Sequence, residues 1–156
     1  MAISFSLQLA WSQVSVFDAG LSDPFNDWTE RHVAQGFTWR PGSVSFRTHD
    51  NEGYAQLTVD MVSGLVLEKD TKRAILVPFT TWGGLIEFST IAQSEFVDVP
   101  AGRYALLYQS GTREGQQWCK FSFQESPFMP VQPVILRGDD GIDSTLPLLM
   151  EAEPAA

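Results

Sequence analysis

Short runs of alternating apolar and polar residues constrain the fold of this chain more than any other feature. The first run places Ile3, Phe5, Leu7 and Leu9 on one face, and a later one, Tyr54–Val62, repeats the pattern over a longer stretch. Successive side chains of a β-strand point to opposite faces, so each run predicts a strand with one buried face and one face in water. Roughly ten such runs follow one another at spacings of about 8 to 12 residues, which is typical of a β-sandwich or a β-barrel.

The remaining runs complete a predicted all-β fold. Strands with one face in water favour antiparallel sheets, because buried parallel strands carry continuous apolar runs. We therefore predict a mainly antiparallel, two-sheet β-sandwich with one short helix, and a closed β-barrel is the alternative. The other predicted strands are Val14–Val16, Phe37–Trp39, Val44–Thr48, Leu65–Leu67, Ala74–Phe79, Leu85–Phe88, Phe96–Val99, Arg103–Gln109, Gln117–Gln124 and Val134–Leu136.

The one predicted helix lies in the segment Pro24–Phe46. Asp27 is placed as its N-cap residue, and Glu30 stands three residues later at the capping-box position. Gly36 follows where a residue in the left-handed conformation would end the helix. The tripeptide Arg40–Gly42, which contains Pro and Gly, then predicts a tight turn.

The length of 156 residues indicates one domain that buries about 70% of the surface of the unfolded chain. We predict a single β-sandwich domain over residues 1–137 and an acidic, partly flexible C-terminal extension over residues 138–156. The N-terminus has no basic residue before Arg31 and no continuous apolar run, which predicts a strand and not a secretory signal. No stretch is apolar enough for a membrane span. Cys119 is the single cysteine and is expected in the core; without a disulfide framework, the expected compartment is the cytoplasm.

The net charge of −9 is concentrated at the two ends of the chain. Residues 1–30 contain four acidic residues and residues 138–156 contain five, with no Lys or Arg in either stretch, whereas residues 31–137 balance. Nucleic-acid binding needs a basic surface that neutralises phosphates, so this distribution argues against a direct nucleic-acid ligand. It favours a basic protein partner, whose encounter an acidic surface would accelerate.

Groups that could carry out catalysis or hold a cofactor are few. His32 and His49 are the two histidines, and neither has a second His or Cys at metal-ligand spacing. The acidic stretch Asp139–Asp143 lacks the alternating ligands and the distal Glu of a calcium loop. The sequence therefore predicts no metal, no cofactor and no catalytic residue. A hydrolase that uses His32 or His49 is the enzymatic alternative.

Six short motifs follow one another in a fixed order. They are Asp27-Trp28-Thr29, Gln35-Gly36-Phe37, Pro41–Phe46, Ile75–Phe79, Leu85–Phe88 and Phe96–Tyr108, the last with Asp98, Pro100, Gly102 and Tyr104 in a D-x-P-x-G-x-Y turn. In composition and spacing these motifs resemble the competence protein J family over roughly residues 5 to 125. The resemblance implies a bacterial, non-catalytic protein that binds and inhibits a nuclease associated with competence for DNA uptake. The C-terminal extension lies outside the resemblance.

The predicted contact residues for a protein partner are the acidic and aromatic residues of the family-like segment and two further tryptophans: Asp23, Asp27, Trp28, Glu30, Trp39 and Trp82. Exposed aromatic side chains are typical of interface hot spots and of sugar sites. A carbohydrate- or small-ligand-binding β-sandwich that uses Trp39 and Trp82 is therefore the second hypothesis. An immunity-like protein directed against another toxin nuclease is a variant of the first.

Overall fold

The computed structural model describes residues 2–50, 52–126, 131–145 and 147–155. Within them the chain forms eleven strands and one helix. In chain order these elements are β1 (Ala2–Leu9), β2 (Gln13–Asp18), α1 (Glu30–Gln35), β3 (Phe37–Arg40), β4 (Ser43–Arg47), β5 (Gly53–Met61), β6 (Thr71–Thr81), β7 (Leu85–Ser89), β8 (Ser94–Asp98), β9 (Gly102–Arg113), β10 (Gln116–Glu125) and β11 (Val134–Arg137).

The strands form two separate sheets. One is six-stranded with the order β1-β5-β10-β9-β6-β11, and the other is five-stranded with the order β3-β4-β2-β7-β8. Neighbouring strands are antiparallel except β5 and β10, which run parallel. Both sheets are open, so the predicted two-sheet β-sandwich is confirmed and the barrel alternative is wrong. The turn between β1 and β2 connects one sheet to the other and therefore lies at one end of the sandwich.

Apolar side chains of both sheets meet in one core. Phe46 of the five-stranded sheet stacks on Tyr108 of the six-stranded sheet with 4.5 Å between ring centroids, and Phe88 meets Phe121 edge to face at 5.1 Å. Cys119 is buried in the same core, as predicted. Burial raises the pKa of its thiol to about 12, so the thiol stays protonated at neutral pH.

Residues 62–70 do not form a strand, so the predicted strand Leu65–Leu67 is wrong. They connect β5 to β6, two parallel strands that are separated in the sheet by β10 and β9. The buried side chain of Gln109 bonds to their main chain: its Nε2 donates to the carbonyl of Val66 at 3.0 Å, and its Oε1 accepts from the N–H of Glu68 at 2.8 Å. These bonds satisfy main-chain groups that a strand ladder would otherwise pair.

The helix begins after Thr29, so the prediction of Asp27 as the N-cap residue is wrong. Thr29 is extended (φ −98°, ψ 173°), and its Oγ1 accepts a hydrogen bond from the N–H of His32. The Nδ1 of His32 accepts in turn from the N–H of Thr29 at 3.0 Å, so His32 completes the capping box in place of Glu30. Glu30 is the first helical residue. No helix in the described residues is long and apolar enough to span a membrane.

The C-terminal residues pack onto the sandwich. Gly36 ends the helix in the left-handed conformation (φ 88°), as predicted, and Ile142 lies against it. A Cβ at Gly36 would come within 2.6 Å of the Ile142 Cδ1, and the Ile142 side chain is buried. Leu148 and Met150 pack against the same core. The division of the chain at residue 137 and the partial flexibility of the extension stay predictions.

Candidate protein-binding surface

The two acidic ends of the chain meet next to the helix. The N–H of Asp27 donates to the carbonyl of Glu153 at 2.8 Å, and the N–H of Ala155 donates to the carbonyl of Phe25 at 2.8 Å. A β-bridge between Asn26 and Pro154 lies between these two bonds. Asp27 and Glu153 are both exposed. Acidic residues from opposite ends of the sequence therefore lie on neighbouring stretches of chain.

Asn26 fixes the N-terminal stretch on the five-stranded sheet. Its side chain is buried, and its Nδ2 donates to the carbonyls of Thr38 at 3.2 Å and Ser43 at 3.1 Å. Arg40 donates from Nε to the Oδ1 of Asn26 at 2.7 Å and donates from its other end to the carbonyl of Asp23. These bonds hold the main chain in place through buried Asn26 and half-buried Arg40, and Asp23 itself is exposed.

A pocket of about 260 Å³ lies between the helix and the β1–β2 turn. Trp28 is half-buried in its wall, where its Nε1 donates to the Oε1 of Gln13 at 2.9 Å. Val33 is 43% exposed and lies one helical turn after Glu30, so both are on the same side of the helix. The pocket is lined by Trp11, Ser12, Gln13, Trp28, Val33 and Arg47.

Trp11 is the most exposed aromatic residue of this surface, at 71%. It forms the β1–β2 turn with Ser12, and both residues have positive φ, 62° and 58°. A β-bridge between Ala10 and Gln13 closes this two-residue turn. Two successive positive φ values define a type I′ turn, which favours Asn and Gly. The sequence prediction missed Trp11 because its turn contains neither of these residues.

The structure brings three of the six predicted contact residues together and separates the others. Trp28 lines the pocket, Asp27 directly precedes it in the chain, and Glu30 lies on the same side of the helix as Val33 of the pocket wall. Trp39 is half-buried, packs against the core and donates from Nε1 to the carbonyl of Pro78 at 2.7 Å. Trp82 is 58% exposed, and its ring lies against Gly42 in the β3–β4 turn, where a Cβ would come within 2.5 Å of it. The remaining residue, Asp23, lies near the β3–β4 turn, because Arg40 at the end of β3 donates a hydrogen bond to its carbonyl.

Buried Asp18 holds the loop that carries Trp82. Its Oδ1 accepts from the Oγ1 of Thr81 at 2.5 Å, from the N–H of Trp82 at 3.0 Å and from the N–H of Gly83 at 3.1 Å. Its Oδ2 accepts from the N–H of Gly20 at 3.2 Å. Burial opposes ionisation of this carboxyl group, but the four hydrogen bonds outweigh it and lower the pKa of Asp18. Asp18 therefore serves as an anion that orders a loop.

Ser110, His49 and Asp139 are arranged in space like the Ser, His and Asp of a catalytic triad. Ser110 Oγ lies 2.9 Å from His49 Nε2, and His49 Nδ1 lies 3.7 Å from the Oδ2 of Asp139. However, Ser110 is completely buried, and Arg73 donates two hydrogen bonds to Asp139 at 2.9 and 3.0 Å. Burial, reinforced by the positive charge of Arg73, lowers the pKa of His49. Ser110 is inaccessible to a substrate, so we interpret the cluster as a structural link between the sandwich and the C-terminal residues.

Metal-binding groups are not assembled in the described part of the chain. No three His, Cys, Asp or Glu side chains there lie close enough together to hold a metal ion. Asp139 illustrates the reason, because its carboxylate accepts from Arg73 and from the N–H of Gly141 at 2.8 Å. The carboxylate of Asp139 is therefore already paired with groups of the protein itself.

Known proteins resemble this chain in sequence and in fold. Residues 2–124 match the family model Competence protein J (ComJ). The solved structure of ComJ from Bacillus subtilis, inhibitor of the DNA degrading activity of NucA, superposes with a TM-score of 0.70 at 20% identity and covers 81% of this chain and 99% of that one. The solved structure described as Crocagin biosynthetic gene J superposes with a TM-score of 0.56 at 16% identity and covers 78% of this chain and 96% of that one. A comparison with curated protein sequences gives no match.

Proposed function

This chain belongs to the competence protein J family, and from that membership we propose that it is a non-catalytic protein that binds a nuclease and inhibits its degradation of DNA. The family match over residues 2–124 is the observation that carries the proposal. The likeness in fold to ComJ, an inhibitor of the DNA degrading activity of NucA, supports it.

The charge of the chain suits a nuclease as partner. A nuclease must attract the phosphates of DNA with a basic surface, and a protein of net charge −9 is attracted to the same surface. Asp27 and Glu153 come from the two stretches that contain the excess negative charge, and the Asp27–Glu153 main-chain bond joins those stretches. We propose that this joined acidic surface, with Glu30 beside it, contacts the nuclease.

The size of the chain is sufficient for such a contact. A stable protein–protein interface buries about 800 Å² on each partner. This is about a tenth of the 7953 Å² of accessible surface on this chain. One face of the sandwich could therefore provide the whole interface.

A DNA-degradation assay tests the proposal. Purified chain is titrated into a panel of competence-associated nucleases that includes NucA, and the rate of loss of double-stranded DNA is followed. We expect the rate to fall toward zero near one equivalent of the chain for at least one nuclease. We also expect inhibition to weaken as the salt rises from about 0.05 M to about 0.5 M, because salt screens exposed charges. The chain alone, incubated with the same DNA, is the control for catalysis.

The outcomes separate the parts of the proposal. Failure to inhibit any nuclease of the panel at tenfold excess of the chain would overturn the inhibitor function. Inhibition that does not depend on salt would overturn the acidic contact alone. Toxin nucleases from outside the competence system are added as a second panel, and inhibition confined to one of these would favour the immunity-like variant.

A further inference from the structure

Trp11 occupies a position that stability of the fold does not explain. Its side chain is 71% exposed and its φ is 62°, in the left-handed region that disfavours a residue with a large side chain. Asn or Gly at this position of a type I′ turn would remove that strain. A strained, exposed tryptophan at the tip of a turn is therefore explained better by a contact with another molecule.

The surroundings of Trp11 form a ridge between two depressions. On the helix side is the pocket of about 260 Å³, with Trp28 and the exposed part of Val33 in its wall. On the other side is a depression of about 620 Å³, lined by Trp11 together with Leu9, Glu52 and other residues. Trp11 lines both of them. A ridge of this shape can insert into a partner, and the insertion would bury most of the Trp11 ring.

The charges around the ridge indicate which charges the surface of a partner must have. Exposed Glu52 lines the larger depression. Exposed Asp27 directly precedes Trp28 of the helix-side pocket, and exposed Glu30 lies one helical turn before Val33 of the same pocket. Arg47 is the cation in the lining of the helix-side pocket, and its guanidinium donates to the carbonyls of Val33 at 2.8 Å and Gly141 at 2.7 Å. The complementary surface is therefore an apolar pocket with Lys or Arg side chains around it. A second copy of this chain would oppose the same carboxylates, which is unfavourable.

We propose that Trp11 is the apolar anchor of the nuclease-binding surface and inserts into a basic-rimmed apolar pocket of the nuclease. This inference rests on the proposed function, because it takes the nuclease as the partner. Buried tryptophans near the centre of an interface are typical hot spots, and carboxylates at the rim exclude water and orient the partner.

The variant Trp11→Asn tests the inference without disturbing the turn. Asn is favoured at this turn position, so we expect the melting temperature to stay the same or to rise. We expect the dissociation constant for the inhibited nuclease, NucA or another member of the panel, to increase at least about tenfold. Trp11→Phe keeps an aromatic ring and should retain most of the affinity. The matched control is Val66→Ala, at a residue that is 69% exposed on the connection between β5 and β6 and should leave binding unchanged.

Each result has a defined meaning. Wild-type affinity in Trp11→Asn would overturn the inference and leave the proposed function intact. Absence of inhibition by the wild-type chain would overturn both. If Trp11→Asn lowers the melting temperature, Trp11→Gly serves in its place, since Gly adopts positive φ without strain. A dimer of the wild-type chain in light scattering that dissociates in Trp11→Asn would also overturn the inference, because Trp11 would then bind a second copy.

Discussion

The main-chain N–H of Asp27 donates a 2.8 Å hydrogen bond to the carbonyl of Glu153. Asp27 lies inside the stretch that matches the competence protein J family, residues 2–124, whereas Glu153 lies beyond it. The contact therefore places acidic residues of the extension beside the family-like segment. Because both bonded groups belong to the main chain, the carboxylates on either side can be neutralised without removing the bond.

The helix cap gives the first prediction. Thr29→Ala removes the oxygen that accepts the N–H of His32, so the free energy of unfolding should fall by about 1 kcal/mol. Asp27→Ala is the matched control and should change it by less than about 0.5 kcal/mol. Urea unfolding followed by tryptophan fluorescence measures both. Equal losses in the two variants would contradict the assignment of Thr29 as the cap.

The cap also shows what the sequence could and could not predict. Asp27 and Thr29 are both good capping residues; the structure caps the helix with Thr29, paired with His32, while the N–H of Asp27 bonds to Glu153 in a distant part of the chain. Local patterns, by contrast, predicted all eleven strands of the described residues and the end of the helix at Gly36, because period-2 alternation and a left-handed glycine are local signals. The alternation in Leu65–Leu67 misled the prediction because Gln109, far away in sequence, bonds to the main chain beside it.

The candidate surface was predictable only in part, because contacts between distant parts of the chain bring some of its residues together. Asp27, Trp28 and Glu30 are close in sequence, and their composition was enough to select them. Glu153 reaches the surface through tertiary contacts. Trp11 sits in a turn whose residues are atypical for its backbone conformation. The four-residue gap at residues 10–13, between the run that ends at Leu9 and the run that begins at Val14, was the available signal for that turn.

Ile142 provides a test of how firmly the extension is attached. Its side chain is buried against Gly36, so Ile142→Ala should lower the free energy of unfolding by about 2 to 4 kcal/mol. Ile91→Ala, at a residue that is 75% exposed, should cost less than about 0.5 kcal/mol. Hydrogen exchange of residues 138–155 should accelerate in the first variant. Unchanged stability in Ile142→Ala would mean that the extension does not dock in solution.

The ion pair between Arg73 and Asp139 gives a second test of the same attachment. Arg73 is buried, so Asp139→Asn should destabilise the fold by about 3 kcal/mol because it leaves a buried charge without its partner. Replacing both residues by apolar ones, Arg73→Met with Asp139→Leu, should recover much of that loss. Chemical denaturation of the single and double variants measures the difference. A double variant less stable than Asp139→Asn would contradict this account of the pair.

The histidines predict the dependence of stability on pH. Burial lowers the pKa of His49 and of His32 below the ordinary 6.5, and Arg73 adds to the effect at His49, against Asp139, which opposes it. Below pH 6.5 the unfolded chain therefore binds protons that the folded chain does not, and the free energy of unfolding falls as the pH falls toward the lowered values. Above pH 6.5 this contribution is fully present.

A variant isolates the part due to His49. His49→Gln should flatten the slope by at most about 1.4 kcal/mol per pH unit, the value for one proton. The lowered pKa values of Asp18 and Asp139 lie under 3.8, so these carboxylates bind protons at lower pH. They therefore do not change the slope of stability with pH in the range where the histidines titrate. Urea unfolding at pH values about half a unit apart, from about pH 7.5 to about pH 5, measures the slope of the free energy of unfolding against pH. A stability that rises as the pH falls through this window would contradict the assignment.

The dissociation constant for the inhibited nuclease in two charge-neutralised variants tests the central claim most directly. Asp27→Asn with Glu153→Gln removes one charge from each of the two joined acidic ends, whereas Asp98→Asn with Glu125→Gln removes two from exposed positions elsewhere on the sandwich. We expect the first pair to weaken binding about tenfold or more at low salt and to reduce its salt dependence, and the second pair to change affinity less than about twofold. Equal affinities for the two variants would contradict the claim that the joined acidic ends of the chain bind the nuclease.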